Sequence, residues 1–119
     1  MLDEVEFLKH IYERFNARDI ETVLAALHKD VVWANGMEGG HVHGRDAVRG
    51  YWTRQWAMVD PHVEPVGFSS GPEGEAVVEV HQVVHDLTGK LLVDQMVQHV
   101  YLVQDGLIRS MEVRDIEPS

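Results

Sequence analysis

The spacing of apolar residues changes once along this chain, and that change restricts what it can fold into. Up to Trp56, apart from one short strand, hydrophobic side chains return every three or four positions, whereas from Val63 onward they alternate. Val63 to Phe68, Ala76 to Leu87, Lys90 to Gln104 and Leu107 to Ile116 read as strands, with turn signals at Gly71-Pro72, Thr88-Gly89 and Asp105-Gly106. Consecutive strands joined by turns this short run antiparallel. Helices first and strands afterwards predict an α+β domain, with the helices packed on one face of a curved antiparallel sheet.

In the helical half, Val5, Leu8, Ile11, Tyr12 and Phe15 mark one face of a first helix running to about Asn16, and Asp3 with Glu6 gives it an acidic capping pair. Asp19 caps a second, short helix through Ile20, Val23, Leu24 and Leu27, expected to stop near His28-Lys29-Asp30. Val31 to Asn35 is β-branched and aromatic and reads as a strand ended by Gly36, after which His41-Val42-His43 suggests a short hairpin arm. Val48, Tyr51, Trp52 and Trp56 then form the stripe of a third helix, which Pro61 keeps short.

A length of 119 residues with 45% hydrophobic content suits one core, so a single domain over residues 1–119 is expected. Ten Lys and Arg against 20 Asp and Glu leave a formal charge of −10, which repels a phosphate backbone and argues against nucleic acid as a partner. Cysteine is absent, excluding thiol redox chemistry, disulfides and cysteine-zinc sites and suiting a cytoplasmic protein. The acidic N-terminus does not resemble a secretory signal, and no apolar run approaches the ~18 residues of a membrane span. No membrane partner is therefore expected.

The run Val97-Gln98-His99-Val100-Tyr101-Leu102-Val103 places an ionisable group where a hydrophobic face should be. With a period of two, Val97, His99, Tyr101 and Val103 share one face and Gln98, Val100, Leu102 and Gln104 the other. That makes the first face the candidate floor of a pocket. Eight histidines raise a metal question. On a strand, though, His81 and His85 stand ~13 Å apart, too far to ligate one ion. His41-x-His43 has no spaced carboxylate or cysteine to complete a set. No metal and no cofactor is expected.

The order helix, helix, strand, helix and four-strand meander, together with Phe15-Asn16-Ala17-Arg18-Asp19, Gly44-Arg45-Asp46-Ala47-Val48 and Asp105-Gly106-Leu107-Ile108, resembles the nuclear transport factor 2-like superfamily. The likeness is greatest to its SnoaL-like and ketosteroid isomerase-like members. The resemblance implies a cone-shaped sheet with three helices in its concavity, an open end that holds a small, mostly apolar molecule, and homodimers through the outer face of the sheet. It also implies positions for the isomerases' catalytic groups, an aspartate base and an oxyanion hole of a tyrosine and a protonated acid. Counted from the Asn16 to Asp19 corner, the base position falls on Asn35, the tyrosine position on Ile11 with Tyr12 beside it, and the second acid on His99, followed by Tyr101. Because an amide is not a proton acceptor near neutrality, steroid isomerisation by the familial mechanism is not expected.

Two function classes remain open. In the first, the chain is a cofactor-independent isomerase, cyclase, dehydratase or hydrolase in which His99 titrates near neutrality and moves the proton, Tyr101 or Tyr12 polarises a substrate oxygen, and Asn35 holds it. Trp33, Trp52, Trp56, Val97, Met111 and Val113 then line the pocket, with Gln82 interrupting the apolar face of its strand as a polar contact. In the second, the domain binds a ligand or dimerises without chemistry, and the same aromatics are ordinary core. In either case Val77 and Val83, beside His81 and His85 on the outer face, suggest a C2 homodimer.

Overall fold

A computed structural model describes residues 2–35 and 39–115. The elements are α1 (Leu2–Asn16), α2 (Ile20–Ala25), β1 (Leu27–Ala34), β2 (His41–His43), α3 (Arg45–Met58), β3 (Val59–Ser70), β4 (Ala76–Asp86), β5 (Leu91–Gln104) and β6 (Leu107–Asp115). The strands form one curved, unclosed sheet in the order β2-β1-β6-β5-β4-β3, and the three helices pack on its inner face. Register shifts at Pro65/Gly67, Val84/His85 and Leu102/Val103 supply the bends that curl it.

The meander β3 to β6 is antiparallel throughout, as its turns require, and β2 is the expected hairpin arm on β1. The sheet is nevertheless mixed, because β1 joins β6 in parallel. Five elements separate these two strands in sequence, long enough for either direction, so no turn signal bears on their pairing. The pairing also corrects the end of α2. That helix stops at Ala25 rather than near His28, because Leu27 is drawn into β1 opposite Ile108 and both are fully buried. Pro61 and Pro65 stand within β3, which starts earlier than its sequence pattern suggests. They are tolerated because β3 is an edge strand. The capping role expected of the Asp3 side chain, the stop at Gly36 and the strand end at Ile116 fall outside the described residues.

Side chains from the corner between α1 and α2 fix the helices to the sheet. Asp19 caps α2, its carboxylate accepting from the Thr22 hydroxyl at 2.8 Å. Asn16 acts as a short length of strand. Its amide nitrogen donates to Val63 O at 2.8 Å and its oxygen accepts from Val63 N at 3.0 Å, tying the end of α1 to β3. Arg18 donates to Pro61 O at 2.8 Å and pairs with Asp60, while Arg45 Nε reaches Leu27 O at 2.7 Å and anchors the start of α3 to β1. These ties hold α1 and α3 over the inner face, so that the sheet's concavity becomes a cavity.

Candidate functional site

The cavity, about 310 Å³, lies between the inner face of the sheet and the helices α1 and α3. Its wall follows strand parity except at Ala34 and Leu92. Val93, Gln95, His99 and Tyr101 enter from β5, Gln82 and Val84 from β4, Met111 and Val113 from β6, and Trp33 from β1. Tyr12 and Phe15 close it from α1, and Tyr51, Trp52 and Gln55 from α3. Among the described residues that line it there is no Asp, Glu, Lys or Arg. A ligand there meets an uncharged, mostly aromatic and aliphatic wall with a few polar groups at fixed places.

Of the residues singled out from the sequence, Tyr12, Trp33, Trp52, Gln82, His99, Tyr101, Met111 and Val113 come together on this wall. Three do not reach it. Asn35 is buried at the end of β1, where its backbone makes the turn with Gly39 and Gly40. Val97 packs into the core at 2% exposure. Trp56 stands behind Trp52, its ring stacked at 6.0 Å and also touching Phe15.

The sequence reading passed over Gln95, Tyr51 and Gln55. Gln95 was legible: it shares the parity of His99 and lies directly opposite Gln82, to whose oxygen its nitrogen donates at 3.0 Å. Tyr51 and Gln55 are one helical turn apart, and the Gln55 amide donates to the Tyr51 hydroxyl at 3.4 Å. Tyr51 belongs to the apolar stripe of its helix, where the sequence reads it as core, and nothing in the sequence distinguishes Gln55 from a solvated helix edge.

The polar centre is a cluster of three rings. The Tyr12 hydroxyl lies 2.7 Å from His99 Nδ1 and 2.7 Å from the Tyr101 hydroxyl, which is itself 3.5 Å from Nδ1. The Tyr12 ring stacks on the His99 ring at 5.8 Å and meets the Tyr101 ring edge-on at 6.3 Å. Burial pushes the His99 imidazole down to about 4. Among the described residues no carboxylate touches it to offset the loss of water, so it is neutral at pH 7 rather than poised there as the sequence suggested. Burial raises both phenols, with Tyr101 pushing Tyr12 further in the same direction. All three groups are therefore uncharged at neutral pH.

Three protons are shared among these groups, and their arrangement follows from donor counting. If Tyr101 donates to Tyr12 and Tyr12 donates to Nδ1, both buried hydroxyl protons have acceptors and the imidazole proton sits on Nε2. Reversing the chain leaves the Tyr101 proton without an acceptor among the described residues, which costs roughly 1–3 kcal/mol. The first arrangement is favoured. Nε2 has no protein partner among the described residues and is not sealed off, so its N–H faces the cavity.

Elsewhere, histidines pair with single carboxylates at the surface: His41 with Glu112 at 2.8 Å and His81 with Asp94 at 2.6 Å. Among the described residues no three metal-ligating side chains converge, and no helix is long and apolar enough to cross a membrane.

Comparison with known proteins agrees with this architecture. A family profile described as the SnoaL-like domain matches residues 8–111. A protein of unknown function from Burkholderia pseudomallei, described as NTF2-like, superimposes with a TM-score of 0.83 at 27% identity, covering 98% of this chain and 92% of its own. A provisionally assigned polyketide cyclase from Xanthomonas campestris pv. campestris gives 0.74 at 24% identity, with 92% and 87% covered. A Mycobacterium tuberculosis protein in complex with estradiol-17β-hemisuccinate gives 0.78 at 19% identity, with 92% and 90% covered. No curated protein matches the chain in sequence.

Proposed function

The chain belongs to the SnoaL-like domain family, and from that premise we propose that it binds a small, uncharged, mostly apolar organic molecule in the cavity and presents the His99 Nε2–H to one of its oxygens. The observation that carries this reading is the neutral Tyr101–Tyr12–His99 cluster in a wall without ionised side chains. A hydrogen bond aimed from a low-dielectric wall is stronger than one in water, and a neutral imidazole donor polarises a carbonyl without carrying a charge into the site. Trp33 and Trp52, edge-on at 5.2 Å, supply a surface for a flat ring system.

The reaction class that fits is isomerisation, cyclisation or dehydration assisted by the hydrogen bond that the neutral His99 Nε2–H donates, with Tyr101 and Tyr12 behind it. Asn35, at the end of β1 and off the wall, does not meet the ligand. That a relative of the same fold carries estradiol-17β-hemisuccinate, and another a provisional polyketide cyclase assignment, supports a polycyclic or polyketide-like ligand. One observation favours the second reading, a binding domain without chemistry: among the described residues no carboxylate lines the cavity to serve as base. The proposal includes a C2 dimer through the outer face of β4, supported by the half-buried Val77 and Val83, and a cytoplasmic setting, supported by the absence of cysteine.

A screen of uncharged aromatic and polycyclic compounds by thermal shift, followed by conversion assays on the hits, tests the proposal. Binders are expected to raise the melting temperature by several degrees. His99→Leu is expected to weaken them about tenfold and to lower any turnover by about 10²-fold or more. Binders that His99→Leu leaves untouched would remove His99 from the site, and binding without conversion would select the second reading.

A further inference from the structure

We infer that Tyr12 is a positioning residue that fixes His99 as its Nε2–H tautomer, and that the cavity therefore selects ligands presenting a carbonyl oxygen over the corresponding alcohols. The inference rests on the binding role proposed for the cavity and deepens it by naming what the ligand must offer. Tyr12 reaches Nδ1 at 2.7 Å while Tyr101 stands 3.5 Å away, so Tyr12 is the direct contact and Tyr101 supports it by donating to the Tyr12 oxygen. With Nδ1 occupied as an acceptor, the imidazole offers the cavity a donor and no lone pair. A carbonyl oxygen accepts from Nε2–H and leaves nothing unpaired. An alcohol in the same place also brings a proton for which the imidazole has no acceptor.

The rest of the wall bounds the ligand. Gln95 and His99 are four residues apart on β5, about 13 Å along the strand, and most of the remaining wall is aliphatic or aromatic. The amides of Gln82 and Gln95 sit at the far end of that span, joined to each other at 3.0 Å. A fused-ring body with its carbonyl at the His99 end and any second polar group at the Gln82–Gln95 end matches this order. An ionised group at the His99 end would lie beside neutral rings, with no charged partner on the wall.

Two measurements test the inference. Long-range proton–nitrogen NMR of the histidine rings at pH 7 needs no ligand, and is expected to find His99 protonated at Nε2 and bare at Nδ1. In the Tyr12→Phe/Tyr101→Phe double variant, which removes both donors while conserving ring volume, that preference is expected to disappear. In Tyr12→Phe alone, the Tyr101 hydroxyl is expected to move in and retain part of it. Quenching of tryptophan fluorescence then compares fluorenone with fluorenol, which share one ring skeleton. Fluorenone is expected to bind wild type about tenfold more tightly, a preference of about 1.4 kcal/mol, and the double variant is expected to lose it. A wild-type His99 protonated at Nδ1, or a preference for fluorenone that survives the double variant, overturns the inference. If neither compound binds although the tautomer is as stated, the selection of ligands falls together with the binding role of the cavity, and the positioning role of Tyr12 stands.

Discussion

His99 and His81 stand on neighbouring strands of one sheet, on opposite faces, and have opposite surroundings. His99 on β5 is 8% exposed, bonded to a phenol and held neutral by burial. The His81 side chain on β4 is 43% exposed and lies 2.6 Å from the Asp94 carboxylate. The contrast extends to the faces themselves. Among the described residues the cavity wall carries no Asp, Glu, Lys or Arg, whereas the outer face holds Glu79, His81, Asp94 and Glu112. Strand parity thus sorts the chain's large negative charge to the outside and leaves an electrically quiet interior, in which one correctly placed N–H meets a ligand without an ionised group beside it among the described residues.

The strongest way to break this comparison is to place the same charge on each face of β4. Val80 is fully buried on the inner face and Val83 is half-buried on the outer one. Val80→Asp puts a carboxylate where it has no partner, and is expected to cost about 4 kcal/mol or more and to abolish cooperative unfolding in circular dichroism. Val83→Asp is expected to cost no more than about 1 kcal/mol within the monomer and, if the outer face of β4 pairs two copies as proposed, to lower the light-scattering mass to that of a monomer. Equal losses from the two substitutions would mean that the register is displaced by one residue, since such a slip exchanges the faces.

That register was legible from the sequence because the pattern is local. Alternation through Val97, His99 and Tyr101 needs only the strand itself, and the turns at Thr88-Gly89 and Asp105-Gly106 fix which strands are neighbours. The parallel partner of β1 was not legible, nor was the early end of α2, because both depend on Leu27 meeting Ile108, far away in sequence. At the site, type and parity placed His99 and Tyr101 on the wall. The tautomer, the depressed pKa and the withdrawal of Asn35, Val97 and Trp56 arise from three-dimensional packing. A strand face can be read from one segment, but the depth of each residue on that face is set by the helices that cover it.

A second prediction sharpens the contrast through pH. The His99 pKa in the folded state, about 4, lies below the ordinary histidine value of 6.5. Between these values the unfolded chain binds a proton that the folded one does not, so stability falls as pH drops from about 6.5 to about 4. The full span corresponds to up to about 3 kcal/mol from this group. His99→Gln removes it, so the variant's denaturation midpoint is expected to fall less steeply over that window than the wild type's. Parallel acid limbs would indicate that the imidazole is hydrated and that the interior is less dry than its wall suggests.

The smallest effect is expected on the other side of the comparison. An exposed contact such as that of His81 with the Asp94 carboxylate contributes roughly 0–1 kcal/mol, because water already solvates both groups and salt screens any charge between them. For a domain of this size, His81→Gln should then move the melting temperature by no more than about 4 °C, and by less in 1 M salt. That expectation applies to the monomer, at protein concentrations low enough to keep it dissociated. If the outer face is a dimer interface as proposed, concentrating the protein covers the pair, and the cost of removing one partner grows because the remaining charge loses its water. Thermal melts of wild type and His81→Gln across a hundredfold range of protein concentration separate the two cases. A gap that widens with concentration places β4 in the interface. A gap that stays small and salt-sensitive at every concentration leaves this face in solvent, and confines the chain's recognition chemistry to the side where His99 stands.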